Sequence, residues 1–88
     1  MEEESSNGEN GNVRRRIEKD ISIFSSNIKL IRNADLTPIE QHVVELSEMY
    51  AKDSESWLEK GDYYTSFSSI SYAHGLLDSI LKIKGMSE

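Results

Sequence analysis

The chain has 88 residues, a formal net charge of −6, no cysteine and a single proline. This length allows one small domain, and the lack of cysteine excludes a disulfide scaffold, a Cys-ligated zinc site and thiol catalysis. Apolar residues occur in short runs only, so the sequence predicts neither a transmembrane span nor a signal peptide.

Residues 1–12 are predicted to form a disordered acidic tail. After Met1 this segment contains no apolar residue, and it carries four glutamates without a base. Such a segment cannot bury enough surface to offset the entropy that ordering would cost. We therefore expect the folded domain to cover residues 13–85 and the tail to be dispensable for folding.

A first helix is predicted over about residues 13–33. Its apolar residues recur at alternating spacings of four and three, which places them on one face of an α-helix. They are Ile17, Ile21, Phe24, Ile28 and Ile31. Arg14, Arg15 and Arg16 lie at the start of this helix and offer a contact for nucleic acid. Because the chain is acidic overall and no aromatic residue interrupts the run, a solvated helix start is the favoured interpretation, and nucleic acid is an unlikely partner.

The stretch Thr37-Pro38-Ile39-Glu40 predicts the start of a second helix over about residues 38–60. Thr37 can accept a hydrogen bond from the amide of Glu40 while the Glu40 side chain reaches back, and Pro38 suits the first helical position. The apolar face predicted for this helix comprises Ile39, Val43, Leu46, Tyr50 and Trp57, with Asp53 or Ser54 at the one gap.

Gly61 and Asp62 predict a tight turn into a third helix over about residues 63–84. Gly61 supplies the left-handed conformation that ends one helix, and Asp62 can cap the next. Because only these two residues separate them, the helices must be antiparallel. The apolar face of the third helix is predicted to comprise Tyr63, Phe67, Ile70, His74, Leu77 and Leu81. The sequence contains no alternating strand pattern and therefore predicts an all-α fold, an antiparallel up-down-up three-helix bundle.

His74 and Asp78 form a candidate polar pair on the third helix, since side chains four residues apart can meet. Catalysis or metal binding would need further partners. The sequence offers only His42 as a second histidine and has no Glu-x-x-His pattern. We therefore predict a structural imidazole hydrogen-bonded to Asp78 or another polar group, with no catalytic residue, metal or cofactor. A small-ligand or enzymatic site centred on this pair is the alternative.

Helix packing gives two more expectations, one near the turn between the second and third helices and one at Gly75 within the third helix. Six aromatic residues are predicted to plug one end of the bundle, with a ligand pocket as the alternative. They are Tyr50, Trp57, Tyr63, Tyr64, Phe67 and Tyr72. Gly75 costs a helix interior about 1 kcal/mol relative to alanine, so we expect another element to pack tightly against it.

Two stretches carry a family resemblance: residues 58–63, which read LEKGDY, and residues 70–78, which read ISYAHGLLD. They resemble the turn and the following helix of the short archaeal proteins of domain-of-unknown-function family 357. The similarity extends over about residues 14–85, with Ser66 and Ser79 at positions where the family pattern has alanine. The resemblance implies a three-helix bundle and an archaeal, cytoplasmic protein, and it implies no activity.

Apolar residues outside the predicted core face of the third helix predict self-association. Contiguous apolar patches usually mark interfaces, and a symmetric dimer is the commonest closed assembly. The candidate interface comprises Tyr72, Leu76, Ile80 and Ile83. The predicted function is a non-enzymatic module for protein interaction or self-association, with a second copy or another protein as partner. A site at His74 and Asp78, or a nucleic-acid accessory role for Arg14 to Arg16, is the alternative.

Overall fold

A computed structural model describes the backbone of residues 2–86 and the side chains of residues 11–86. It contains three helices, α1 (Glu2–Ile31), α2 (Pro38–Glu59) and α3 (Tyr63–Ile83), and no strand within the described range. The predicted all-α fold is confirmed. Every helix end lies within two residues of its predicted position except the start of α1.

The start of α1 differs from the prediction. Residues 2–12, predicted as a disordered tail, continue the helix, while Met1 lies outside the described residues. Glutamate is a good helix former, and acidic residues near an N-terminus meet the positive end of the helix dipole. A composition without apolar residues limits what a segment can bury, but it does not set the local backbone conformation.

Hydrogen bonds at the helix ends confirm the predicted caps. The Glu40 amide donates to Oγ1 of Thr37 over 3.2 Å, and the Thr37 amide donates to Oε1 of Glu40 over 3.0 Å. Gly61 has a φ of 83°, and the Asp62 carboxylate accepts from the amide of Thr65 at 3.0 Å. The short turn over residues 60–62 therefore folds α2 and α3 back on each other as the sequence predicts.

The core confirms the predicted face of α1 and corrects that of α2. Ile17, Phe24, Ile28 and Ile31 are buried, and Ile21 packs at the edge of the core. On α2 the predicted face is displaced by one residue, and Ile39 is 77% exposed. The buried residues of α2 are Val44, Ser47, Ala51, Ser54 and Leu58. Because three of these side chains are small, a pattern weighted by large apolar residues selects the adjacent stripe.

The face of α3 also turns further toward α2 than predicted. Ile70, Leu77 and Leu81 are buried as expected, whereas Phe67 is 42% exposed. Ser66, Ala73 and Ile80 complete the buried face. Small residues on both helices thus face each other, which lets the two backbones approach closely.

Ser54 and Ser66 join α2 to α3 inside the core. Both are fully buried. The hydroxyl of Ser54 donates to the carbonyl oxygen of Ser66, and that of Ser66 donates to the carbonyl oxygen of Ser54, each over 2.7 Å. The two hydroxyl oxygens lie 3.0 Å apart. The contact between α2 and α3 is the most extensive in the fold, and α1 packs mainly on α3.

Candidate functional site

His74 lies at the edge of the core and joins α3 to α1. Its Nε2 lies 2.8 Å from the carbonyl oxygen of Asp20, and its ring meets Phe24 edge-on, with 5.8 Å between ring centres. A carbonyl oxygen can only accept, so Nε2 carries the proton and donates. The imidazole therefore forms a structural hydrogen bond between two helices, as predicted. Its partner is a main-chain oxygen and not a side chain.

Asp78 is half-buried one turn further along α3. Among the described residues, no hydrogen bond or ion pair joins it to His74. Of the two predicted options, the structure therefore has the other polar group, the Asp20 carbonyl, and not Asp78. The reason is that the backbone of α1 lies within reach of the ring and offers an acceptor whose position is already fixed.

Glu40 links the start of α2 to the end of α3. Oε1 of Glu40, which accepts the Thr37 amide, also lies 2.7 Å from Nζ of Lys84. The two side chains are only 15% and 23% exposed, respectively. The Lys84 ammonium, followed by the Thr37 amide, lowers the pKa of the Glu40 carboxyl. One carboxylate therefore caps a helix and closes one end of the hairpin.

The solvent-facing side of α3 carries little charge. Of the nine exposed residues of this helix, Lys82 alone is charged. We call six of them the outer face of α3: Ser68, Ser71, Tyr72, Gly75, Ser79 and Ile83. Tyr72 is 52% exposed and meets Tyr50 edge-on at 4.7 Å between ring centres, while Ile83 is 65% exposed.

Two expectations about this side of α3 need correction. Ile80, assigned to the candidate interface, is 3% exposed and belongs to the core. It turns inward because the buried face of α3 lies closer to α2 than predicted. Gly75 is exposed, and a Cβ built there would meet nothing within 4 Å. The tight contact expected at Gly75 is therefore absent within the described chain, whereas Tyr72, Leu76 and Ile83 remain accessible or half-buried.

The aromatic residues near the second turn do not form the predicted plug. Tyr64 is 84% exposed and Trp57 is 36% exposed, with the Lys60 ammonium 4.7 Å from the Trp57 ring centre. Of the six residues, Tyr50 and Tyr63 pack against the core, whereas Phe67 lies outside the buried face of α3, which includes Ser66 and Ala73. Instead, residues of α1 and α3 line an open cleft of about 370 Å³ that we call the aromatic cleft. Its lining comprises Val13, Arg16, Tyr63, Tyr64 and Phe67.

The three arginines of α1 have different surroundings. Arg14 pairs with Glu18 over 3.2 Å, and Nη2 of Arg15 donates to Asn12 over 3.3 Å. The Tyr63 hydroxyl and the Glu18 carboxylate raise the pKa of Arg14 further above its ordinary value. Arg16 lies in the wall of the aromatic cleft. Arginine and aromatic side chains thus come together in space although the sequence keeps them apart.

Comparison with known proteins identifies the family of this chain. A family model described as "Protein of unknown function (DUF357)" matches residues 19–86. The chain belongs to this family. No curated protein matches it. The family 357 match spans all of α2 and α3 and begins within α1, so Val13 and Arg16 of the aromatic cleft precede the matched range.

Two further observations bear on this family 357 protein. Within the described residues, no group of three or more His, Cys, Asp or Glu side chains is placed to hold a metal ion. No helix in the same part of the chain has both the length and the apolar character needed to cross a membrane.

Sequence reasoning missed three elements of these sites. The Glu40–Lys84 ion pair joins residues far apart in the chain, and the Ser54–Ser66 bonds join side chains that resemble surface residues. The aromatic cleft needs two helices to form. Only the capping signal at Thr37 drew attention to Glu40 in advance.

Proposed function

We propose that this family 357 protein is a non-enzymatic self-association module that pairs with a second copy through the outer face of α3. The observation that carries the proposal is the near absence of charge on that face. On α2, by contrast, five of the exposed residues are charged. They are Glu45, Lys52, Asp53, Glu55 and Glu59.

The charge distribution supports a second copy as the occupant. The chain carries a net charge of −6, so two copies repel each other through most of their surfaces. The outer face of α3 has no carboxylate, and two such faces can meet without that repulsion. An isologous contact uses the same patch on both copies. A patch that does not repel a second copy of itself therefore suits a twofold dimer.

The shape of the outer face also suits a helix. Gly75 lies in its middle with open space around it, and serines lie on either side. Glycine permits close backbone approach. Two antiparallel α3 helices that cross at Gly75 set the large Tyr72 and Ile83 of one copy beside small residues of the other. Close packing in the dimer would thus account for a glycine that lowers the stability of the helix.

The proposal is of a cytoplasmic protein without catalytic activity. His74 is engaged with the Asp20 carbonyl, and neither it nor Asp78 lines the aromatic cleft. Arg14 is engaged with Glu18 and Tyr63 and Arg15 with Asn12, which disfavours them as a phosphate-binding run. These contacts favour an interaction role over the enzymatic and nucleic-acid alternatives.

Light scattering after size-exclusion chromatography at micromolar concentration tests the dimer. We expect a mass near twice the 10.0 kDa of one chain. Ile83→Glu should shift the protein to monomer, because it places a carboxylate in the contact. Ile39→Glu is the matched control, since Ile39 is exposed on α2 and lies outside the outer face of α3. A monomer at all concentrations, or a dimer that survives Ile83→Glu, would overturn the proposal.

A further inference from the structure

We propose that the aromatic cleft binds a small aromatic acid, with its ring against Tyr64 and Phe67 and its acidic group on Arg16. The cleft is separate from the outer face of α3 and independent of the proposed dimer. Its volume of about 370 Å³ falls in the range of small-molecule sites, roughly 300–1,000 Å³. Such sites have mainly apolar and aromatic walls and a few polar groups that orient the ligand.

The walls of the cleft favour an aromatic ring as the ligand's body. Four of the five lining residues are apolar or aromatic. Tyr64 and Phe67 both lie on α3 and are 84% and 42% exposed, so part of each ring is free to contact a ligand. Aromatic side chains of this size bury large areas when covered, and pairs of rings gain energy beyond area burial. A flat ring covers this surface more completely than a branched aliphatic chain of equal size.

Arg16 favours an acidic group on that ring. Within the described residues, its guanidinium makes no hydrogen bond or ion pair, in contrast to Arg14 and Arg15. A guanidinium presents a planar set of donors that matches two oxygens of a carboxylate or similar acid. A single guanidinium beside an aromatic surface thus fits a ligand that has one aromatic ring system and one acidic group.

The surrounding charge argues against a strand of nucleic acid in the cleft. A strand needs a series of cationic contacts along its phosphates. Here a second cleft of about 300 Å³, between α1 and α2, is lined by Glu18, Glu55 and Glu59 around Ile21 and Leu58. Phosphates that left Arg16 in that direction would meet three carboxylates. A compact ligand with one acidic group avoids them.

Two fluorescent probes that differ in charge test the proposal. The first is 8-anilinonaphthalene-1-sulfonate, an aromatic acid, and the second is N-phenyl-1-naphthylamine, which has the same rings without the sulfonate. Titrations use the full chain at neutral pH. We expect saturable binding of the sulfonate at one site per chain. Arg16→Gln should weaken it by about fivefold to tenfold and leave the uncharged probe unchanged. Phe67→Ala should weaken both probes.

Control variants locate the binding and separate it from the dimer. Arg32→Gln removes an exposed arginine beyond the other end of α1 and should not change either titration. Ile83→Glu should also leave probe binding unchanged, so a failed dimer and a failed cleft give different results. Equal effects of Arg16→Gln and Arg32→Gln would overturn the proposal. Loss of binding in Ile83→Glu, or displacement of the sulfonate by micromolar single-stranded oligonucleotide, would do so too.

Discussion

His74 is a side chain whose position the sequence predicts and whose partner it does not. The apolar spacing of α3 places the imidazole at the edge of the core, and the structure finds it there. Its acceptor is the carbonyl oxygen of Asp20, a group that every residue possesses and that leaves no mark in a sequence. The sequence points to Asp78 because it shows which side chains can form hydrogen bonds. It does not show which main-chain groups come close in the fold.

Replacing His74 tests this assignment. His74→Ala should lower the free energy of unfolding by about 1–2 kcal/mol, because it removes the ring contact with Phe24 and the bond to α1. Asp78→Asn is the control and should change stability by no more than about 0.5 kcal/mol. Urea denaturation measures both. A larger loss for Asp78→Asn would support the pair predicted from the sequence, and tight zinc binding that His74→Ala abolishes would contradict a structural role.

Gly75 has opposite effects on folding and on association. Because a Cβ at this position meets nothing within 4 Å, Gly75→Ala should stabilise the single chain by about 1 kcal/mol through helix propensity. That gain corresponds to a rise of about 4–8 °C in Tm for a domain of this size. The measurement belongs at submicromolar concentration, where pairing contributes little. A fall in Tm under those conditions would show that the glycine is required by the fold itself.

At the scale of helices, cap residues are predicted well and buried faces less well. Thr37, Gly61 and Asp62 act through neighbours in the chain, so local sequence is sufficient to place them. The buried faces of α2 and α3 depend on how closely the helices approach, and Ser54 and Ser66 allow that approach while completing each other's hydrogen bonds. Periodicity counts such serines as polar and therefore rotates the expected face away from them.

The Glu40–Lys84 ion pair predicts an acid-sensitive contribution to stability. The folded pKa of Glu40 lies below its unfolded value, so the ionised carboxylate stabilises the fold. This stabilisation is complete above the unfolded pKa, about 4.3, and is lost as the pH falls through the lower folded value. Urea denaturation between pH 7 and pH 3 should show the difference between wild type and Glu40→Gln shrinking below about pH 4.3.

The partner residue gives the control for the pH dependence. Lys84→Gln removes the largest cause of the lowered pKa of Glu40. This variant should therefore lose less stability than wild type as the pH falls. Asp62 keeps its own lowered pKa, caused by the amide and hydroxyl of Thr65, in both variants. A stability difference between wild type and Glu40→Gln that stays constant down to pH 3 would contradict the proposed linkage.

At the scale of the whole molecule, the order and direction of the three helices follow from the sequence, whereas the aromatic cleft does not. Two short connections fix an up-down-up path. The aromatic cleft arises only once α1 and α3 lie side by side. Arg16 and Phe67 line the same cleft but are far apart in sequence, so no local sequence pattern predicts that they come together.

Removing residues 1–12 tests how much the N-terminal part of α1 contributes to the whole fold. The segment contains no apolar residue after Met1, so its deletion should change Tm by no more than about 2 °C. Thermal denaturation followed by circular dichroism provides the measurement, and the helical signal should fall along with the deleted residues. A much larger drop in Tm would mean that the segment docks on the bundle.

The uneven contacts among the helices have a consequence for local opening. α2 and α3 share the most extensive contact and the buried serine pair, while α1 packs mainly on one of them. Opening free energies within a domain follow such differences, and segments with fewer buried contacts exchange their amide hydrogens first. Deuterium should therefore enter α1 well before it enters the hairpin of α2 and α3. The hairpin would then be the cooperative unit that persists while α1 detaches and returns.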